Sequence, residues 1–367
     1  MSAGPFGAAA GGERRKGAMT STTIIPLDGN APSEAIIPAA AGIAQSSGGR
    51  IVLLTVLDPH DAQAPNRGER FSLSTRKIDE QGRVFYGGAG GVVTSGPPLE
   101  GEESGAGDAG SRRGLSENTL AAARLYLEEI ASPLRDAGVD VDLQVVEGDP
   151  VTQIFDAVER EGADIVAMAT HRSSAIARAF AGSATDEVVR HSPVPVLSMH
   201  GEKESVAPTP VKPETVIVPL DGSELSESAV QPAWDLAERL DANIVFVRSA
   251  SGPESMVWNY GMAGGVVPAT EQEEELGQML GDVDGYLQRF VDSSQAKGLR
   301  AEGRHGVGSA SDLIISEAER HPAPLIVMTT HGSSGLKRAL LGSVTDQVVR
   351  NAECPVLIVG RSNLDED

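Results

Sequence analysis

Basic residues are in short supply. The chain carries 30 Lys and Arg against 52 Asp and Glu, a formal net charge of −22 over 367 residues. A surface of that sign repels polyanions, which argues against nucleic acid and anionic membranes as partners. Cysteine is scarcer still. Cys354 stands alone, so neither an internal disulfide nor a cysteine-based zinc site can form. Long apolar runs are also missing: none approaches the roughly 18–20 residues of a membrane span. Residues 1–20 hold a basic patch without the apolar core of a signal peptide. These absences point to a cytoplasmic protein with a disordered tail over 1–20. What remains is an ordinary apolar content of 40%, enough for two cores at roughly 100–200 residues per domain.

The chain is a duplication. "TIIPLDGNAPSEAIIPAAAGIAQSSGGRIVLLTV" from Thr23 aligns without a gap, Ile25 on Val218 through Val56 on Ser249, with "TVIVPLDGSELSESAVQPAWDLAERLDANIVFVRS" from Thr215. Further on, "EGDPVTQIFDAVEREGADIVAMATH", ending at His171, aligns with "VGSASDLIISEAERHPAPLIVMTTH", ending at His331. The first copy carries 33 more residues between these blocks, in the glycine-rich insertion 59–114. A period this long is not a solenoid repeat. The expectation is two tandem domains, 21–200 and 214–361, with a polar, proline-containing linker at 201–213 and an acidic tail at 362–367.

Inside each copy short β-branched runs alternate with helical spacing. In the second, "TVIVPL" reads as a strand buried on both faces. Ser223 can then cap a helix running to about Leu240, with Glu224 and Glu227 in its first turn. "NIVFVRS" is a second strand, Glu271–Lys297 a helix ending at Gly298, and "LRAEGRHG" a weak third strand. Ser311–Arg320 is a helix, "PLIVMTT" the fourth strand, Gly342–Asn351 the fourth helix and "PVLIVG" the last strand. Strands alternating with helices imply an α/β fold: a five-stranded parallel sheet, doubly wound, in each copy. The apolar last strands, Val194–Met199 and Val356–Val359, invite edge pairing.

In doubly wound sheets ligands bind beyond the carboxyl ends of the strands, where the strand order reverses. Asp221 follows the first strand there, and the turn Thr329–Gly332 follows the fourth. Successive N–H groups of a glycine-bearing turn form a nest for phosphate oxygens. Gly342, Ser343 and Val344 open the last helix, whose free N–H groups and positive dipole end suit an anion. A Cβ at Gly342 would hold a phosphate away from the backbone, and the Ser343 and Thr345 hydroxyls can donate. Asp221 repels phosphate but can accept from a ribose or an adenine amino group. A carboxylate at one end and a phosphate nest at the other describe a nucleotide.

Together "VPLDGS", "MTTHGSSGLKRALLGSVT" and "CPVLIV" resemble the universal stress protein family, in its tandem form and its ATP-binding branch. The resemblance covers both repeats. It implies Rossmann-like domains of the adenine nucleotide alpha hydrolase kind, paired intramolecularly through their last strands, with a homodimer left open. In the second domain it implies adenine and ribose contacts at Pro219, Leu220, Asp221 and the Ser249 backbone. Met328, Thr329 and Thr330 would line the pocket, and Gly332, Gly342, Ser343, Val344 and Thr345 would hold the phosphates. Mg would come with the ATP rather than be held by protein side chains. Thr329 departs from the family pattern, which has glycine there; a threonine would be strained if that position required positive φ. In the first domain Asp28, Val56, Gly182, Ser183, Ala184 and Thr185 correspond. Ala169 and Arg172 replace the two leading glycines, and Arg172 would either clash with phosphates or pair with one. The first domain is therefore expected to bind less well.

Plainer readings stand beside these. Asp221 and Asp28 could simply form Asx turns, and Gly342–Ser343 could be a helix start alone. His171 and His331 have no identifiable acid or nucleophile partner, so loop bracing outranks acid–base chemistry. Lys337 and Arg338 either neutralise phosphate or are merely solvated. Cys354 reads as an inert core residue, and insertion 59–114 as a mobile surface loop. No GxxxxGK lysine is present, so the chain reads as a binding and regulatory module rather than an enzyme. Slow hydrolysis, self-phosphorylation at Ser343 and a scaffold that binds no nucleotide are the competing functions.

Overall fold

The computed structural model describes residues 21–57, 76–78, 84–86, 117–171, 184–201, 207–250, 269–330 and 341–360. In the first half, strands β1 (Thr22–Pro26) and β2 (Arg50–Leu57) flank helices α1 (Ala31–Glu34) and α2 (Ile37–Ser47). A hairpin, β3 (Arg76–Ile78) and β4 (Val84–Tyr86), lies in the insertion, so that segment is not loop throughout. There follow α3 (Glu117–Asp136), β5 (Asp140–Glu147), α4 (Pro150–Glu161), β6 (Ile165–His171), α5 (Ala184–His191) and β7 (Val196–Gly201). The second half repeats this with β8 (Thr215–Pro219), α6 (Glu224–Glu227), α7 (Val230–Leu240), β9 (Asn243–Ala250) and α8 (Ala269–Ala296). It closes with β10 (Ala301–Val307), α9 (Ala310–Ala318), β11 (Pro324–Thr329), α10 (Ser343–Asn351) and β12 (Val356–Val359).

Ten strands form one sheet in the order β10-β9-β8-β11-β12-β7-β6-β1-β2-β5. Within each half of this sheet the pairings are parallel, and the order 3-2-1-4-5 places the reversal between the first and fourth strands. The halves join through β7 and β12, which pair antiparallel with Leu197 opposite Leu357. Those two leucines occupy equivalent positions in the repeat, so the seam has twofold symmetry centred on them. The last strands thus lie at the middle of the sheet, where their apolar faces are covered.

Strand alternation divides the core in two. On one face Ile25, Leu53, Val218, Phe246 and Val327 pack under α2, α3, α7 and α8. On the other Ile24, Val52, Val247, Met328 and Ile358 pack under α4, α5, α9 and α10. Each core draws on both halves, which stabilises the paired arrangement through continuous apolar burial.

The helix expected from Ser223 to Leu240 is two helices. Pro232 has no N–H to bond the Ser228 carbonyl and its ring crowds the preceding turn, so α6 ends at Glu227 and α7 starts afresh at Val230. The described part of the linker, 207–213, is clamped onto α2. The Val211 N–H donates to the Pro38 carbonyl of α2 at 2.8 Å. At Gly42, in the interior of α2, a Cβ would fall on the Val211 carbonyl and lie 2.7 Å from the Lys212 nitrogen. The missing side chain lets the linker backbone pass there. Among the described residues no helix is long and apolar enough to cross a membrane.

Candidate functional site

A cleft of about 250 Å³ opens at the carboxyl ends of β8, β9 and β11, beside the strand reversal. Four short stretches of backbone build its walls. The end of β8 contributes Pro219, Leu220 and Asp221, and β9 contributes Val247 and Ser249. Met328 and Thr329 close β11, and Gly342 to Thr345 open α10. Ser226, Ala310 and Ile314 complete the lining.

Asp221 is exposed at the cleft mouth. Its Oδ1 accepts from the Ser223 N–H at 3.0 Å and from the Ser223 hydroxyl at 2.6 Å. That is an Asx turn, so the plainer reading of this residue holds geometrically while the side chain also lines the cleft. Ser223 in turn caps α6, its Oγ accepting from Ser226 N at 3.1 Å. The Ser226 hydroxyl accepts from Asp221 N at 3.2 Å. The Asp221 turn is thereby closed on itself. Across the cleft Ser249 donates its hydroxyl to the Gly308 carbonyl at 2.7 Å, joining the ends of β9 and β10.

The opposite end is the start of α10. Its N-cap is Gly342, which offers no side chain to the first-turn amides. Other helices here are capped: Ser309 caps α9 and Asp149 caps α4 through side-chain oxygens. Helix α10 is fixed by other means. Thr345, buried, donates its hydroxyl to the Thr329 carbonyl at 2.9 Å, and Gly342 N donates to the Thr330 carbonyl at 2.7 Å. The Ser311 hydroxyl donates to Gln347 Oε1 at 2.6 Å, tying α9 to α10. The N–H groups of Ser343, Val344 and Thr345 belong to the first turn and have no intrahelical partner, and these three residues line the cleft.

Several expectations change in detail. Thr330 is buried and is not among the lining residues; its carbonyl anchors Gly342 behind the cleft wall. The Gly342 N–H and the Thr345 hydroxyl are spent on those braces, so neither is the anion donor anticipated from sequence. Gly342 itself has φ −58° and ψ 149°, open to any residue, so only close approach argues for glycine there. Thr329 is not among the described residues with positive φ. As the last residue of β11 it is extended, which removes the expected strain. Gly332 lies outside the described residues, as do His331, Lys337 and Arg338.

In the first domain Asp28 forms the matching turn with Asn30, at 3.0 Å to its N–H and 2.8 Å to its side-chain nitrogen. Val56 is half-buried near the end of β2, and Ala169 is buried in β6. Ala184 and Thr185 open α5, while Arg172, Gly182 and Ser183 lie outside the described residues. Cys354 is half-buried, and burial pushes its thiol up to about 12, so it is unreactive at neutral pH.

Sequence reasoning missed Ser226, Val247, Ala310 and Ile314. Val247 was within reach, two residues before Ser249 and so on the same side of the strand. Ala310 and Ile314 share a helix face at spacing four, a signal that does not say which helix borders the cleft. One acidic group elsewhere has the appearance of a metal site: Glu302, Glu317 and His321 hold ligand atoms within 4.8 Å of one another. Arg304 sits 2.8 Å from Glu302, and Arg320 2.9 Å from the buried Glu317. Two guanidiniums already neutralise it, so it is an ion-pair network.

The fold and the motifs bring the comparison with known proteins to a point. The family model described as "Universal stress protein family" matches residues 89–200 and again 213–360. The chain belongs to the universal stress protein family. A universal stress protein of Mycobacterium tuberculosis (strain ATCC 25618 / H37Rv) is 29% identical over 227 residues, 62% of this chain and 71% of that protein. The universal stress protein YxiE of Bacillus subtilis is 31% identical over 145 residues, 39% of this chain and 97% of its own length. Among solved structures, a universal stress protein from Archaeoglobus fulgidus superposes with TM-score 0.58 at 15% identity, covering 95% of this chain and 99% of that one. At that identity the likeness is one of fold.

Proposed function

We propose that the second domain of this universal stress protein binds an adenine nucleotide, with ATP as the ligand, and acts as a nucleotide-dependent regulatory module. The observation that carries this reading is the polarity of the cleft. Asp221 stands at one end, an apolar slot of Leu220, Val247, Ile314 and Met328 lies along it, and the uncapped start of α10 stands at the other. An apolar slot takes a base, a carboxylate accepts from ribose hydroxyls, and free first-turn amides with a helix dipole take phosphate. The volume fits a nucleoside-sized portion: about 250 Å³ lies just under the roughly 300 Å³ at which small-molecule pockets usually begin. The outer phosphates would then project toward solvent, with Mg coordinated by them. Asp221 is the one ionisable side chain among the described lining residues, and no hydrolytic step is assigned to it.

Isothermal titration of the full chain with ATP tests the reading. One saturable site is expected, with Asp221→Ala weakening adenosine and ATP about equally, because the carboxylate serves their common part. At free ATP a hundred times Kd, the bound chain should gain about 2.7 kcal/mol against unfolding. Absence of saturable binding, or binding indifferent to Asp221→Ala, would remove the proposal.

A further inference from the structure

Strand β9 places Val247 and Ser249 in the cleft, so the residue between them, Arg248, faces the other side of the sheet. There its guanidinium carbon lies 4.3 Å from the centroid of the Tyr286 ring of α8. The Tyr286 hydroxyl donates to Glu227 Oε1 at 2.9 Å, and Glu227 is the last residue of α6. The same guanidinium reaches the turn before α6. A Cβ on Gly222 would lie 2.9 Å from Arg248 Nη2 and 3.1 Å from Nη1, and Gly222 has φ +89°. Both ends of α6, the turn that carries Asp221 and the residue that closes the helix, therefore rest on the Arg248–Tyr286 stack.

The first domain supplies a comparison within the same molecule. Its equivalent tyrosine and glutamate make the same bond, Tyr126 hydroxyl to Glu34 Oε1 at 3.0 Å. At the position of Arg248, however, stands Thr55, buried, whose hydroxyl donates to the Leu27 carbonyl at 3.1 Å. The tyrosine–glutamate tie is common to both halves; at the position of the prop itself the second half has arginine and the first has threonine. Burial and the Glu227 carboxylate hold the Tyr286 phenol well above its usual range, with Arg248 and Asp221 acting on it in opposite senses.

We propose that Arg248 is a positioning residue of the second-domain cleft: stacked on Tyr286, it props the Asp221–Gly222 turn and so sets where Asp221 meets the ligand. The consequence for ligand binding rests on the nucleotide reading above. The prop itself does not. A planar guanidinium lies flat on an aromatic ring and against a side-chain-free backbone, which an ammonium does not do.

The experiment uses the full chain with Arg248→Thr, which installs the first domain's residue, and Arg248→Lys, which keeps the charge. Hydrogen–deuterium exchange of the ligand-free protein should show amides 222–227 exchanging at least fivefold faster in Arg248→Thr, with α9 amides unchanged. In titrations, adenosine and ATP affinities should fall together by about five- to twentyfold, and Arg248→Lys should restore no more than about half of the loss. Unchanged exchange at 222–227 overturns the prop. A fall for ATP alone also overturns it, since that would make Arg248 a remote charge acting on phosphate. If the wild-type chain binds neither ligand, the nucleotide reading fails, and the exchange rates still decide the positioning.

Discussion

Replacing Gly42 with alanine gives a prediction whose sign depends on tertiary structure. In an exposed helix interior that change stabilises by roughly 0.5–1 kcal/mol, because glycine loses more backbone freedom on folding. Here the new Cβ would fall on the Val211 carbonyl and 2.7 Å from the Lys212 nitrogen, both backbone atoms with no rotamer to retreat into. The linker must move, which strains or breaks the 2.8 Å bond from Val211 N to the Pro38 carbonyl. A lost hydrogen bond of that kind costs about 0.5–1.5 kcal/mol and overpacking about 1–3 kcal/mol. Set against the helix gain, Gly42→Ala should be unfavourable by about 0.5–4 kcal/mol. Thermal unfolding followed by far-UV circular dichroism reads this as a fall of several degrees, at about 2–4 °C per kcal/mol for chains of 150–250 residues. Asp235, the equivalent position in α7, is exposed and bonded only to Gln231 in its own helix among the contacts described. Asp235→Ala is the control and should stay within about 0.5 kcal/mol. A Gly42→Ala chain as stable as wild type, or more so, would refute the clamped linker.

Three further outcomes follow from other contacts. Ser198, buried beside the seam opposite Val356, has a hydroxyl with no hydrogen-bond partner among the described residues; Ser198→Ala should raise stability by up to about 1 kcal/mol in urea unfolding, since an unsatisfied buried group costs about that much or more. Thr345→Val keeps the shape but loses the bond to the Thr329 carbonyl; it should cost about 1–2 kcal/mol of stability and weaken ATP more than adenosine, because α10 is no longer pinned to β11. Glu161 is held below its ordinary 4.5 by the Gln144 amide and by Arg50. A depressed carboxylate contributes stability that is present above its unfolded pKa and lost as pH falls through the folded one. Wild type should therefore exceed Glu161→Gln in stability at pH 6, with the difference shrinking below about pH 4.5 in paired melts.

The architecture was legible because it is written in local periodicity twice over. Short β-branched strands, helices of ten or more residues and the gapless self-alignment around "PLDG" specify two doubly wound halves, and the apolar last strands indicate their pairing. Element ends were less legible where a chemical marker was absent. The first copy ends α2 at Gly48 in the left-handed region, whereas the second ends α7 at Asp241 with φ 47°, a position no glycine announces. The break between α6 and α7 could have been taken from Pro232. The clamp at Gly42 could not, since the carbonyl it accommodates is some 170 residues away in sequence.

The cleft shows the same division. Residues on turns of unusual composition, Asp221 and Gly342 to Thr345, were identifiable because polar and side-chain-free positions at strand ends have few structural uses. Val247, Ala310 and Ile314 look like any core residue, and only the packing of α9 beside β9 brings them to the cleft. Thr330 sits behind the cleft lining for a related reason. The strand ends one residue earlier than the expected Pro324–Thr330, and the Thr330 carbonyl accepts from the Gly342 amide.

The claim on which the account depends is that main-chain amides at the start of α10 grip the anion. Ser343 is the first residue of that helix, and Gly342 before it has φ −58° and ψ 149°, which a following proline tolerates. Ser343→Pro therefore deletes the first-turn N–H of a cleft-lining residue at little cost to the helix, and Ser343→Ala controls for the hydroxyl. A hydrogen bond to a charged group contributes about 1.5–3 kcal/mol, so ATP should bind the proline variant at least about tenfold more weakly than the alanine variant, with adenosine unchanged. Equal ATP affinities for the two variants, measured by titration at the same salt concentration, would contradict the account.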